Sequence, residues 1–226
     1  MKNDIYPSSG YQVKPLWLGI FFTALMLFSM PQVLAQTSFK ILDQLGNPVM
    51  NAVISATGVV RKINSMAVMD QINKQFSPQV LVIQKNQSVG FPNSDDIRHH
   101  VYSFSAPKPF EIGLFKGQGS PPVQFDKAGV VVLGCNIHDQ MIGYIYIAED
   151  EITAVTDEDG QATLASSSEE YHIWHPRLST SHADRIKYTF DGNTQNTQIV
   201  SLSLLLDKKK VVKRKFGGRK FGSGGQ

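Results

Sequence analysis

Short extended segments separated by turns fill the chain from residue 36 onward. The run Gly129–Leu133 is rich in valine, as in buried strands, and Ile142–Ala148 alternates isoleucine with tyrosine, as in a strand with two different faces. The Asp-Gly pair in Asp157–Gly160 is typical of a hairpin turn. Only Ala67–Phe76 is compatible with a short helical turn. Without a helix long enough to cover a sheet, the sequence predicts an all-β sandwich or barrel.

The first 35 residues have the pattern of an export signal. Lys2 and Lys14 precede the apolar run Leu16–Met30, and Pro31 separates that run from a small residue, Ala35, at the expected cleavage site. The alternative is a single anchor helix, but spanning a bilayer takes about 20 apolar residues, and this run is shorter. We therefore expect residues 1–35 to be a signal peptide and the mature protein to be periplasmic.

The positive charge of the chain is concentrated at its C-terminus. Formal net charge is +3, yet residues 208–226 carry eight lysine and arginine side chains and no acidic one. Residues 36–207 are consequently net negative, so the basic overall balance does not indicate nucleic-acid binding. The tail has too little apolar material to fold alone, and we expect it to be disordered. A weak contact with a membrane surface or an acidic partner is the alternative role.

The single cysteine belongs to a cluster of soft and borderline metal ligands. Cys135, His138 and Met141 form a Cys-x2-His-x2-Met sequence, and His99 and His100 lie upstream. A lone cysteine is unusual in an exported protein, where cysteines normally pair. Two imidazoles, a thiolate and a weak axial thioether form the ligand set typical of electron-transfer copper. Alternatively, the cysteine and methionine are core residues and the histidines surface residues.

Two segments carry a resemblance to the cupredoxin family. Val89–Val101 resembles the segment that ends in the first histidine ligand, with Asn93 six positions before His99, and Asp126–Ile145 resembles the ligand loop with its flanking strands. The loop spacing is that of amicyanin. The resemblance covers residues 67–149 and implies a Greek-key β-sandwich. It also implies one type 1 copper site, with ligands listed here by position: His99, Cys135, His138 and Met141.

The choice between the adjacent histidines stays open in the sequence. Neighbouring side chains of a strand point to opposite faces, so only one of the pair can ligate simply, and the distance to Asn93 favours His99. His100 departs from the family pattern, which usually has asparagine there. The proline common in amicyanin-type loops is also missing between Cys135 and Met141.

A closer resemblance combines several short motifs. Phe-Pro-Asn-Ser-Asp-Asp from Phe91, Gly-Cys-Asn-Ile-His-Asp from Gly134, and Trp-His-Pro from Trp174 are similar to the bacterial methylamine utilization proteins. That resemblance implies a periplasmic copper protein near quinoprotein amine oxidation.

The segments on either side of residues 67–149 each look like half of a domain. Residues 36–66 and 150–207 together resemble the carboxypeptidase regulatory-like, transthyretin-type β-sandwich, with an Asp-x-x-Gly-x-Pro turn in the first and Asp157–Gly160 in the second. We therefore expect the copper module to be inserted into, or packed between, these halves. The alternative is one enlarged cupredoxin with terminal extensions.

The expected function is electron transport without enzymatic chemistry. No Ser-His-Asp spacing, glycine-rich phosphate loop or pair of catalytic carboxylates stands out in the sequence. The leading hypothesis is an exported blue-copper carrier that exchanges electrons with a periplasmic redox protein. A copper delivery or storage protein with a copper-receiving partner is the second, and a metal-free structural sandwich is the third.

Overall fold

The computed structural model describes residues 36–60, 63, 65–119, 121–190 and 197–206, and all its regular elements are β-strands. The predicted signal peptide and basic tail lie outside these residues. In chain order the strands are β1 (Thr37–Asp43), β2 (Val53–Thr57), β3 (Ala67–Val68), β4 (Asp70–Ile72), β5 (Gln75–Ser77), β6 (Val80–Gln84), β7 (Ser88–Gly90), β8 (His99–Ser103), β9 (Phe110–Phe115), β10 (Val123–Gln124), β11 (Gly129–Gly134), β12 (Ile142–Ala148), β13 (Glu151–Val155), β14 (Gln161–Leu164), β15 (Glu170–Trp174), β16 (Arg185–Thr189) and β17 (Gln198–Leu202).

Strands from the two ends of the described chain form one pair of sheets. The first sheet has the order β14-β1-β17, and the second has the order β13-β2-β15-β16. β1 runs antiparallel to β14 and parallel to β17. Residues of both sheets share one apolar core, which includes Phe39, Ile54, Tyr171 and Ile173. The segments before β3 and after β12 thus build a single sandwich.

The strands between these segments build a second sandwich. Its larger sheet has the order β6-β12-β11-β8-β9, and it is completed by the sheet β10-β7-β3 and the hairpin β4-β5. Its separate core includes Phe91, Phe125, Leu133 and Ile145, and Cys135 belongs to the same cluster. Two of the predicted metal ligands, Cys135 and Met141, therefore belong to this core.

β12 connects the two sandwiches through the alternation seen in its sequence. Ile145 faces the second core, whereas Tyr144 and Tyr146 pack in a third apolar cluster with Val53 and Trp174 of the first sandwich. The Tyr144 and Trp174 ring centroids are 5.8 Å apart. Both faces of β12 are therefore buried.

The predicted all-β sandwich class is confirmed. The helical turn allowed for Ala67–Phe76 is wrong, because that segment forms β3, β4 and the start of β5. Asn73 and Lys74 adopt positive φ angles of 54° and 60°, which close a tight hairpin between β4 and β5. The domain boundaries and the transthyretin-type assignment stay predictions. The part of the chain that the structure describes contains no helix capable of crossing a membrane.

Candidate metal centre

The ligand loop is a compact reversal between two paired strands. Cys135 directly follows β11, and β12 begins directly after Met141. The His138 N–H donates to the Cys135 carbonyl at 3.4 Å, and the Met141 N–H donates to the His138 carbonyl at 2.9 Å. These two successive turns place residues three apart on the same side of the loop. The Cys-x2-His-x2-Met spacing therefore reflects the turn geometry.

His99 reaches the loop from the neighbouring strand. It begins β8, which pairs with β11 at Tyr102 and Gly134, so its strand lies beside the one that ends at Cys135. The His99 Nδ1 atom lies 3.9 Å from Cys135 Sγ, and the His138 Nδ1 atom lies 3.6 Å from it. The two imidazole ring centroids are 4.9 Å apart. Residues 36 positions apart in the chain thus converge on one point.

The donor atoms fit a single metal ion. One ligand atom from each of His99, Cys135 and His138 lies within 4.8 Å of the others. Three ligands bonded at roughly 2.0–2.3 Å around a trigonal centre would be separated by roughly 3.5–4.0 Å. The two measured sulfur-to-nitrogen distances fall in that interval. The mixture of one thiolate and two imidazoles suits copper better than it suits calcium or magnesium, which take oxygen ligands.

Met141 lies beside this group within the protein. Its side chain is buried, at 1% exposure, in the same apolar cluster as Cys135. Both residues also line one groove, together with Gly134 and Ile142. Met141 thus shares a core cluster and a groove with Cys135, and its role as a fourth ligand stays a prediction.

His100 points away from the group. Its Nε2 atom is 2.8 Å from Glu111 Oε1 on β9, and its ring centroid lies 5.5 Å from that of Tyr102, with the rings tilted by 47°. His99 and His100 thus project from opposite faces of β8, as alternation requires. The structure brings His99 to Cys135, and it does not bring His100 there.

The asparagine noted in the sequence fastens the segment before His99. Asn93 is buried, and its side-chain amide donates to the carbonyls of Ile97 and Phe115 at 2.9 Å each. Its backbone also exchanges hydrogen bonds with Gly117. These bonds fix the loop that leads into β8, and hence the start of the strand at His99.

Asp95 is a site residue that sequence reasoning missed. Its Oδ2 atom lies 2.7 Å from His99 Nε2. Burial opposes ionisation of this carboxyl, but hydrogen bonds from the Lys74 N–H, the His99 ring and the Asn73 N–H hold the pKa of Asp95 below its usual value. An ionised carboxylate can only accept, so His99 Nε2 is the donor in this pair, and Nδ1 is the ring nitrogen on the Cys135 side. An acidic residue four positions before a candidate ligand was the available signal.

Only the His138 side of the group approaches solvent. His99 and Cys135 are buried, whereas His138 is half-buried. The exposed apolar side chains of Ile137 and Ile142 flank the loop, at 50% and 43% exposure. The half-buried imidazole therefore lies among exposed side chains of its loop, which include the apolar Ile137 and the charged Asp139.

No family model matches the chain, and no curated protein matches it. Several solved copper proteins do. A reduced Cu(I) amicyanin with a proline-to-glycine change is 17% identical, with coverage of 38% of this chain and 86% of that chain and a TM-score of 0.35. A purple cupredoxin from Nitrosopumilus maritimus is 19% identical; the match covers 38% of this chain and 100% of that chain, with a TM-score of 0.33. A copper-containing nitrite reductase from Thermus scotoductus SA-01 is 27% identical; the match covers 48% of this chain and 27% of that chain, with a TM-score of 0.36.

Proposed function

We propose that this protein is a type 1 copper protein that carries single electrons. The observation that carries the proposal is the convergence of one thiol and two imidazole nitrogens, from β8 and from the loop between β11 and β12, at distances that suit one ion. His99, Cys135 and His138 would form the trigonal plane, and Met141 would be the axial ligand. Copper bound there would cycle between Cu(I) and Cu(II) and so accept and release one electron.

Each ligand contributes a different preference. The thiolate and thioether of Cys135 and Met141 are soft donors that favour Cu(I), and the imidazoles of His99 and His138 suit Cu(II). A site that holds both kinds of donor matches neither oxidation state fully. The ligands therefore need to move little when the electron moves, which favours fast transfer.

The framework around the ligands favours a carrier over a delivery protein. His99 and Cys135 are held by paired strands and are almost wholly buried, at 0% and 4% exposure. Ligands on rigid elements keep their geometry through repeated cycles. Release to a receiving protein would instead require the buried thiol to become accessible. Copper delivery is thus the second candidate, and transfer experiments separate the two.

The exchange surface that we propose is the solvent-facing edge of His138. This ligand is half-buried, and the apolar side chains of Ile137 and Ile142 lie on either side of its loop. A partner that docks on these apolar side chains would approach the imidazole closely and would also meet the exposed side chain of Asp139, the residue after His138. The fitting partner is a periplasmic redox protein, and amine oxidation is the process that the motif resemblance implies.

The remaining sequence predictions complete this proposal. Residues 1–35 would direct export to the periplasm, residues 67–149 would hold copper, and the flanking segments 36–66 and 150–207 would form a transthyretin-type support. The basic tail, 208–226, would remain solvated or contact an anionic surface.

Copper retention during redox cycling tests the carrier proposal. The mature chain, loaded with one copper, would be reduced and reoxidised repeatedly by small redox reagents, with a Cu(I) chelator present in excess. A carrier keeps its copper through the cycles and exchanges electrons rapidly with the reagents. Loss of copper to the chelator at each reduction would support delivery instead. A melting temperature unaffected by copper would support a purely structural sandwich.

A further inference from the structure

The hairpin β4-β5 lies against the loop that leads to His99 and contacts it at several points. The backbone N–H groups of Asn73 and Lys74, at the hairpin turn, donate to the two oxygens of Asp95 at 2.7 and 2.9 Å. The Asp95 carboxylate in turn contacts His99 Nε2 at 2.7 Å. We propose that this hairpin, through Asp95, is a positioning device that sets the tautomer and orientation of His99 for metal binding. The inference rests on the proposed function and deepens it.

The conformation of the hairpin turn directs the N–H groups of Asn73 and Lys74 toward Asp95. Asn73 and Lys74 both have positive φ angles, which residues other than glycine adopt rarely but which a two-residue hairpin turn requires. A turn of this kind presents consecutive N–H groups on one side, where they can share an anion. The turn that closes the hairpin thus also presents both N–H groups to the Asp95 carboxylate.

Further bonds hold the hairpin to the same loop. Asp70 accepts from the Ser94 hydroxyl at 2.7 Å, and the Gln71 side chain donates to the Pro92 carbonyl at 2.9 Å. The Ser94 N–H donates to the Gln71 carbonyl at 3.1 Å. β4 therefore fixes the residues just before Asp95 while the turn fixes its carboxylate. The hairpin therefore contacts both the backbone before Asp95 and the Asp95 carboxylate itself.

The consequence for His99 is chemical as well as steric. A carboxylate that accepts from Nε2–H keeps the proton on that nitrogen and directs the lone pair of Nδ1 toward Cys135. Such a partner also raises the basicity of the coordinating nitrogen, and losing one typically costs about 10- to 100-fold in metal affinity. A more basic imidazole favours Cu(II) over Cu(I). Removing Asp95 should therefore weaken Cu(II) binding and raise the reduction potential.

Asp96 offers a matched control for charge alone. It is the next residue, it is exposed, and it carries the same carboxyl group as Asp95. Replacing either residue by alanine removes one carboxylate from the same loop. Only Asp95→Ala also removes the acceptor of His99. A difference between the two variants therefore reports the hydrogen bonds that Asp95 accepts from His99 and from the hairpin turn.

The first test uses the metal-free mature chain. Long-range proton–nitrogen NMR spectra at about pH 8 report which ring nitrogen of His99 is protonated. We expect Nε2–H in the wild-type protein and in Asp96→Ala, and a mixture of tautomers in Asp95→Ala. If Asp95→Ala does not fold, the wild-type spectrum decides, because the inference requires Nε2–H there and excludes Nδ1–H. A wild-type His99 protonated on Nδ1, or a tautomer unchanged in Asp95→Ala, would overturn the inference.

The second test uses the copper-loaded chain. We expect Asp95→Ala to bind Cu(II) about 10- to 100-fold more weakly than wild type and to have a higher reduction potential, with Asp96→Ala close to wild type. Equal effects of the two variants would overturn the inference and leave copper binding intact. If the wild-type chain binds no copper, the proposed function fails, while the tautomer result still decides what Asp95 does.

Discussion

Gly143→Ala should destabilise the protein because the added methyl group has no space. Gly143 lies in β12, and a Cβ atom built there would be 2.7 Å from Phe76 Cβ and 2.9 Å from Phe76 Cγ. Ordinary contacts begin near 3.4 Å, so Phe76 would have to retreat by about 0.7 Å, the difference between 3.4 and 2.7 Å. Phe76 is 2% exposed and cannot turn away, because the contacts involve the root of its side chain. Overpacking of this kind costs about 1–3 kcal/mol.

Gly113→Ala is the matched control for this change. Gly113 lies in β9 of the same sheet, and a Cβ atom there would meet nothing within 4 Å. Both substitutions restrict the unfolded chain equally, which stabilises by about 0.4–1 kcal/mol and cancels in the comparison. Gly143→Ala should thus be less stable than Gly113→Ala by about 1–3 kcal/mol.

Urea unfolding of the two metal-free variants measures the difference in their free energies of unfolding, and thermal unfolding measures the difference in their melting temperatures. At about 2–4 °C per kcal/mol for a chain of this size, the melting temperatures should differ by about 2–12 °C. Because Phe76 belongs to β5, its displacement should also disturb the contact between the hairpin and Asp95, so the copper spectrum of Gly143→Ala should change as well. Equal stability of the two variants would refute the reasoning about packing over β12.

Three further outcomes are expected. His100→Gln should keep the copper spectrum of wild type, since His100 points away from the site, and loss of the spectrum would contradict that placement. Tyr146→Phe should lower the unfolding free energy by about 1 kcal/mol, measured by denaturation, because the Tyr146 hydroxyl bonds Glu151 between the sandwiches; an unchanged value would contradict it. Hydrogen bonds from the side chain and backbone of Asn47 lower the pKa of Asp43, so the stability that its ionisation provides is present above about pH 4 and is lost as the pH falls through the lowered pKa. Asp43→Asn should flatten this acid dependence in unfolding curves, and an unaltered dependence would count against it.

The features that sequence reasoning found are local in the chain. The turn geometry at Cys135–Met141 is set by seven consecutive residues, so its spacing could be interpreted directly. The alternation in Ile142–Ala148 likewise predicted a strand with two different faces. The structure shows that one face packs in the core of the second sandwich and the other against the first sandwich. Strand alternation predicted that only one of His99 and His100 could ligate simply, and the distance to Asn93 favoured His99; both arguments need only nearby residues.

The features that it missed depend on contacts between distant residues. The hairpin β4-β5 turns at Asn73 and Lys74, which lack the glycine that normally marks such a turn. Asp95 acquires its role only because that turn and His99 meet at its carboxylate. The strand Phe110–Phe115 was also overlooked, and its pairing with β8 is what places Glu111 beside His100.

The optical and electron spin resonance spectra of the mature chain with one equivalent of Cu(II) test the central claim most directly. A thiolate bound to Cu(II) in a trigonal site should give strong absorption near the red end of the visible range, and Cys135→Ser should abolish it. Full copper occupancy without colour, or a colour that survives Cys135→Ser, would contradict the account.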